Sequence, residues 1–323
     1  MKPLVILTGP TAVGKTAMSI ELAKRIGGEI ISADSVQVYK GMDIGTAKIT
    51  PGEMCGVPHH LIDILEPDEE FNVYRFKELA SAAMEKIYEN GHIPIITGGT
   101  GFYIQSVLYD INFTEESPDT GIREELQKIA DEKGAEYLHG MLSEIDSESA
   151  AAIHANNVKR VIRAIEYYRQ TGQKMSEHNS EQRSKDSPYN FAYLVLNDDR
   201  RLIYERIDSR VDKMLADGLL DEVKALMDAG YDRNLVSMQG LGYKEIISYF
   251  NGEMSLDEAV YVLKRDTRHF AKRQLTWFGR ERDVDFIRLD ELRKKHPDNI
   301  KAAALDEMLQ ILGNKGIADG KGD

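Results

Sequence analysis

Apolar residues recur at two spacings along this chain, and the change from one to the other divides it. Residues 4–8 form an unbroken apolar run that ends in a glycine-rich turn, and residues 16–24 follow with Ile20 and Ala23 at helical spacing. Further β-type runs occupy 29–33, 59–65 and 93–97, the last two separated by an amphipathic stretch at 74–88. Short apolar strands alternating with helices of this length predict a parallel sheet covered by helices on both faces. Beyond residue 110 the texture changes. Residues 112–121 are polar and include Pro118, whereas 122–168 keep helical periodicity and contain no strand pattern. An all-helical insertion is expected there.

The stretch 176–190, rich in Ser, Asn, Glu and Lys and carrying Pro188, predicts a loop. A β-type run at 191–196 then returns the chain to the sheet. Helices are expected over 200–229 and 256–278, with 284–289 as a late edge strand. The Gly- and Lys-rich residues 313–323 read as a flexible tail. The expected fold class is therefore α/β, a parallel sheet with helices on both faces plus an all-helical insertion, and the turn Gly9–Thr16 between its first strand and helix makes it P-loop NTPase-like. Residues 1–112 and 191–312 would form the sheet-bearing core, and 113–190 the insertion.

Composition narrows the function. With 42% hydrophobic and 29% charged residues the chain is ordinary for a globular protein, and no apolar run approaches the ~20 residues that span a bilayer. The start, Met1-Lys2-Pro3, lacks the apolar core of an export signal, so a cytoplasmic protein without a membrane partner is expected. A monomer is the expected state. Cys55 is the single cysteine, which excludes an internal disulfide and any multi-cysteine zinc site. The formal net charge of −13 argues against non-specific nucleic-acid binding, which draws its affinity from Lys and Arg at phosphates. An RNA partner would require basic residues gathered on one face.

Gly9-Pro10-Thr11-Ala12-Val13-Gly14-Lys15-Thr16 matches G-x-x-x-x-G-K-[ST] between a predicted strand and a predicted helix. Backbone N–H groups in such a loop converge on phosphate oxygens, aided by the helix N-terminus. Lys15 adds a full charge, and the Thr16 hydroxyl can ligate Mg²⁺. The loop alone does not say which phosphate is bound. The strand at 93–97 ends in Thr97-Gly98-Gly99-Thr100-Gly101 and lacks the Asp that supports the metal in many nucleotide-hydrolysing proteins, which weakens an ATPase reading. Asp34, at the end of the second strand, belongs in the ligand crevice outside the carboxyl ends of a parallel sheet. Such a carboxylate could bind Mg²⁺, act as a base, or cap a turn.

Three blocks of the first half, GPTAVGKT, SADSVQVYKGMDIGTAK (residues 32–48) and GGTGFY (98–103), resemble in order and spacing the signatures of tRNA dimethylallyltransferases. Three later blocks agree: NVKRVIRAIE (157–166), QGLGYK (239–244) and KRQLTWF (272–278). The resemblance covers about residues 3–280. Adenylate isopentenyltransferases are similar over the first blocks but lack a match to the basic helical insertion. The resemblance implies transfer of a dimethylallyl group from dimethylallyl diphosphate to N6 of the adenosine 3′ to a tRNA anticodon, with Mg²⁺ as cofactor. Asp34 would be the general base, and Lys15, Thr16 and an arginine would stabilise the departing diphosphate. Arg200 and Arg206 are the candidates for that arginine, with surface pairing to Glu205 or Asp208 as the alternative role.

For tRNA, the resemblance implies a path along Asp34, Ser35, Val36, Gln37, Thr100, Arg123, Lys159, Arg160, Val161, Ile162, Arg163, Gln239, Gly240, Leu241, Gly242, Tyr243 and Lys244. Helical spacing turns Val161 and Ile162 inward and leaves Lys159, Arg160 and Arg163 on an adjacent stripe, either a solvated face or an RNA contact. A second basic concentration spans 264–282, where Asp266 and Glu281 are the only acids. A target adenosine in a folded anticodon loop must be extruded to reach the catalytic pocket. His59 and His60 would point to opposite faces of a strand and read as structural. Trp277 and Phe278 read as packing residues, with RNA stacking as the other role for them. A nucleoside-kinase-type phosphotransferase, in which Asp34 activates a hydroxyl, is the competing enzyme class.

Overall fold

A computed structural model describes residues 1–113 and 121–318. Six strands form one sheet: β1 (Lys2–Thr8), β2 (Gly28–Ala33), β3 (His59–His60), β4 (Ile93–Gly98), β5 (Tyr189–Asn197) and β6 (Val284–Arg288). Their spatial order is β3-β2-β4-β1-β5-β6 and every pairing is parallel. Leu4, Val5, Ile6 and Leu7 are all fully buried, as a central parallel strand covered on both faces requires. Because side chains alternate, Val5 and Leu7 pack with Ile95, Leu194 and Leu196 into one core cluster. That cluster also takes Met18 and Leu22 of α1 (Lys15–Ile26) and Leu305, Met308 and Leu312 of the last helix.

In chain order the next helices of this unit are α2 (Val73–Glu89) and α3 (Gly101–Leu108), and five more lie between α3 and β5. Those five are α4 (Ile122–Lys133), α5 (Ala135–Ile145), α6 (Ser147–Ala152), α7 (Val158–Thr171) and α8 (Met175–Ser184). After β5 come α9 (Arg200–Ala216), α10 (Leu219–Asp228), α11 (Tyr243–Phe250), α12 (Leu256–Phe278), α13 (Leu289–Lys295) and α14 (Ile300–Asn314). The long α12 starts in a capping box, with Ser255 accepting the Glu258 N–H and Glu258 accepting the Ser255 N–H. The fold is thus the expected α/β sheet of P-loop type with many surrounding helices.

Contacts divide the chain into one unit of Met1–Leu108 with Pro188–Asp323 and a second of Tyr109–Ser187. The second unit has its own core, in which Leu126, Leu138, Leu142, Val161 and Ile165 are fully buried. Asp146, itself buried, organises that unit's polar interior. One of its oxygens accepts the Ser149 N–H at 3.0 Å and caps α6, and the other accepts the Ser176 N–H at 2.9 Å.

Four elements differ from the sequence expectation. The run 59–65 makes a strand only at His59–His60, because Leu61 and Asp63 take positive φ and turn the chain away. The polar stretch expected as loop forms α8, since Gln182 is buried and accepts the Asn112 N–H, while Met175 packs on the core of its unit. The span 200–229, expected to be helical, is divided at Gly218, whose φ of 105° admits no continuous helix. The tail begins later than expected. Gly313 and Asn314 close α14, and Ile317 is buried in the main core, whereas 319–323, like 114–120 of the expected polar linker, lie outside the described residues.

Candidate active site

The phosphate loop leaves β1 at Gly9, whose φ of 145° and whose neighbour Leu196 O, 2.4 Å from where a Cβ would sit, both demand glycine. The loop turns through Ala12, also at positive φ, to Gly14, and α1 begins at Lys15. The Lys15 ammonium donates to Gly9 O at 3.0 Å and Pro10 O at 2.9 Å. Burial, reinforced by the nearby Arg210 charge and only partly offset by Asp34, pushes its pKa down to about 8. Thr16 is exposed on the first turn of α1, and its hydroxyl has no partner among the described residues.

Asp34 follows the end of β2, one strand beyond the neighbour of β1 in the sheet. Its Oδ1 accepts the Val36 N–H at 2.9 Å and the Gln37 N–H at 3.3 Å, which fixes the carboxylate. Oδ2 accepts no bond among the described residues. The turn-capping role and a role for the second oxygen therefore coexist in one side chain. Gln37 is held by Ser32 Oγ, which donates to its Oε1, and by its own Nε2 donating to Thr46 O at 3.2 Å.

Two residues that sequence reasoning passed over complete the constellation. Arg210 of α9 reaches Thr11 Oγ1 at 3.4 Å and Thr46 O at 3.3 Å. Burial works against its charge and Asp34 supports it, so one carboxylate serves both Arg210 and Lys15. Gln274 of α12, only 5% exposed, accepts the Thr11 N–H at 2.8 Å and donates to Gly99 O at 3.1 Å. It joins the phosphate loop to the turn after β4. That turn is also bonded to β2, because the Thr100 N–H donates to Ala33 O.

The two arginines expected beside the diphosphate are bonded to other partners. Arg206 pairs with buried Asp198 at 2.9 Å, and Arg293 binds the same carboxylate through both terminal nitrogens. Arg200 donates to Tyr204 Oη and lies over its ring. Arg206 and Arg210 are one turn apart on α9, and Asp198 captures the first. Arg210, and neither Arg200 nor Arg206, is the arginine that bonds the phosphate loop, through Thr11.

Several residues on the expected tRNA path are built into the interior. Val161 is fully buried and Ile162 nearly so, and both belong to the second unit's core. Tyr243 is fully buried and donates its hydroxyl to Glu222 at 2.7 Å. These three side chains support surfaces and do not form them. Lys159, Arg160 and Arg163 are exposed with no ion pair among the described residues, while Arg123 pairs with Glu166 at 2.8 Å. In the main unit Val36 lies against Gly240, which brings the 34–37 segment to the 239–244 segment. Leu241 is half-buried, Gly242 is the N-cap of α11, and Gln239 and the Lys244 side chain reach the surface.

The basic concentration at 264–282 is less free than its local acids suggest. Lys264 pairs with Asp212 and Arg268 with Asp208, both from α9. Lys272, Arg273 and Arg280 are exposed. Trp277 is partly exposed and meets Phe102 edge to face, with ring centroids 6.5 Å apart. His60 bonds buried Glu29 at 2.7 Å, in keeping with its structural reading.

Mg²⁺ would find one hard oxygen ready, the Thr16 hydroxyl. No cluster of three His, Cys, Asp or Glu exists among the described residues. A single hydroxyl at a phosphate loop suits Mg²⁺, which keeps several waters and takes much of its coordination from substrate phosphates.

A parallel sheet with a strand–phosphate loop–helix unit, two cations at the loop and a carboxylate anchored beside them defines a group-transfer enzyme that acts on a phosphorylated donor. The IPP transferase family model matches residues 37–281 and the isopentenyl transferase model matches residues 2–64. The chain belongs to the IPP transferase family. It is 62% identical to the tRNA dimethylallyltransferase of Lachnoclostridium phytofermentans, over 98% of this chain and 99% of that protein. It is 53% identical to the tRNA dimethylallyltransferase of Acetivibrio thermocellus, over 90% of this chain and 93% of that one. Among solved structures, the full-length tRNA isopentenylpyrophosphate transferase of Bacillus halodurans superposes with a TM-score of 0.72 at 44% identity, covering 98% of each chain. A eukaryotic dimethylallyltransferase acting on tRNA gives 0.82 at 29% identity, over 97% of this chain and 80% of that one.

Proposed function

We propose that this enzyme transfers the dimethylallyl group of dimethylallyl diphosphate to N6 of the adenosine 3′ to the anticodon in tRNA, releasing diphosphate. The observation that carries the reading is the juxtaposition of an anchored, half-free carboxylate with two cations at a phosphate loop. An exocyclic adenine amine is a weak nucleophile, because its lone pair is delocalised into the ring. Asp34 Oδ2 accepts its proton as the new C–N bond forms, while the bonds to Val36 and Gln37 keep the carboxylate in place. The prenyl C–O bond breaks at the same stage, and charge grows on the departing diphosphate. Loop N–H groups, Lys15 and Arg210 stabilise that charge. Mg²⁺ at Thr16 would add Lewis-acid stabilisation of the same oxygens.

The tRNA is gripped through an anticodon stem-loop. Lys159, Arg160 and Arg163 supply phosphate contacts, and the segments around Ser35–Gln37, Thr100 and Gln239–Lys244 receive the loop with its target base extruded. Localised cations make this binding compatible with an acidic chain. The enzyme works as a cytoplasmic monomer, and among the described residues no helix is long and apolar enough to cross a membrane. The test incubates the protein with Mg²⁺, labelled dimethylallyl diphosphate and an adenosine-rich anticodon stem-loop. Labelled RNA supports the proposal. Label on free AMP alone would favour the adenylate transferase class, and ATP consumption without prenyl transfer would favour a kinase.

A further inference from the structure

Glu222, in the first turns of α10, binds three successive backbone N–H groups of the loop that follows β2. Its Oε2 accepts the N–H groups of Asp43 at 2.9 Å and Ile44 at 2.7 Å. Its Oε1 accepts the Gly45 N–H at 3.0 Å and the Tyr243 hydroxyl at 2.7 Å. Tyr243 in turn presses on Gly45 so closely that a Cβ there would stand 2.6 Å from the ring. One residue further on, Thr46 O receives both Arg210 Nη2 at 3.3 Å and Gln37 Nε2 at 3.2 Å. A single peptide therefore separates the segment that Glu222 clamps from the carbonyl that holds Arg210.

We infer that Glu222 is a positioning residue for the transfer reaction: by clamping residues 43–45 it fixes the Thr46 carbonyl, and through it the Arg210 guanidinium beside the phosphate loop. The inference rests on the prenyl-transfer reading. Only a carboxylate can occupy this place, since all four incoming groups are donors and an amide offers one acceptor oxygen. In Glu222→Gln the new NH₂ faces at least one backbone N–H in either orientation. The loop itself should survive, because Lys48 also ties it, donating to Tyr39 O and to Asp43 Oδ1 at 2.6 Å each.

The test is a double-mutant cycle in the full-length enzyme, with kcat for prenyl transfer and the thermal midpoint read on the same samples. Glu222→Gln should lower kcat on the order of 10- to 100-fold, a fraction of the loss when a transition-state donor is removed outright. In an Arg210→Ala background the same change should cost less than about threefold, because its target is gone. The shift in thermal midpoint should be equal in both backgrounds. Glu29→Gln, at the opposite end of β2, controls for destabilisation alone and should leave kcat within about twofold of wild type. Equal kcat losses from Glu222→Gln with and without Arg210 would overturn the inference, as would an unchanged kcat. A wild-type enzyme that transfers no prenyl group would remove the functional reading, and this inference with it.

Discussion

Gln274 accepts the Thr11 N–H at 2.8 Å, so the middle of the phosphate loop is bonded to a helix that begins more than 240 residues later in the chain. The same amide donates to Gly99 O, and its side chain is buried. Gln274→Leu would orphan a backbone donor and a backbone acceptor, each costing ~1–3 kcal/mol. Urea unfolding should show a loss of about 2–4 kcal/mol, and the affinity for dimethylallyl diphosphate should fall along with it. A loss below ~0.5 kcal/mol would mean that the loop does not depend on α12.

This bond also marks the limit of what the sequence discloses. The phosphate loop and the strand before it were legible because their signals are local, in a glycine pattern, an apolar run and a helical spacing. The position of Asp34 just past the carboxyl end of β2 was legible from the strand pattern. Arg210, Gln274 and Glu222 were not, since their contacts depend on how α9, α10 and α12 pack against loops far away in sequence. Arg206 was the nearer arginine to β5, but Asp198 captures it. The buried stripe of Ile203, Ile207 and Val211 was the available signal, because Arg210 flanks that inward face. In α8 local composition failed for the opposite reason, as tertiary bonds to Gln182 and Ser176 outweighed a loop-like sequence.

Lys15 gives the site an alkaline limit. Its pKa of about 8 lies below the ordinary lysine value of 10.5, so the folded free enzyme sheds this proton first. Between those two values the unfolded chain binds more protons, and the lysine's contribution to stability rises with pH while its grip on phosphate is lost. Affinity for dimethylallyl diphosphate should be level up to about pH 8 and then weaken by up to ~10-fold per unit. Lys15→Met should bind weakly and flatten the profile. A wild-type curve that stays level to pH 10 would contradict the role given to this side chain.

On α7, Lys159, Arg160 and Arg163 are exposed without ion pairs among the described residues. Replacing all three with alanine should reduce the salt slope of tRNA binding by ~2–3, at roughly 0.7–0.9 for each phosphate left without its cation. The kcat at saturating tRNA should stay near wild type. Filter binding between about 50 and 200 mM salt measures this, and an unchanged slope would assign the stripe to solvent.

Asp146 should set the acid stability of the second unit. Burial alone would raise its carboxyl, but the bonds from Ser149 and Ser176 more than reverse that and hold it at about 2, below the ordinary 3.8. Its contribution is therefore complete above about pH 4 and is lost as pH falls toward 2, amounting to roughly 2 kcal/mol. Asp146→Ala should lose a similar amount at neutral pH and flatten the acid limb, read by circular dichroism between pH 2 and 7. Identical acid limbs for the two proteins would show that this cap contributes nothing there.

In the proposed reaction Asp34 removes the proton from the adenine amine while the loop holds the diphosphate. Asp34→Asn keeps an Oδ1 acceptor for the Val36 and Gln37 N–H groups and removes only the basic oxygen. Single-turnover transfer from labelled dimethylallyl diphosphate to the anticodon stem-loop, measured together with donor and RNA affinities, isolates that oxygen. Transfer should slow by ~10²- to 10⁴-fold, with both affinities within about threefold of wild type. Transfer at the wild-type rate by Asp34→Asn would contradict this role for Asp34.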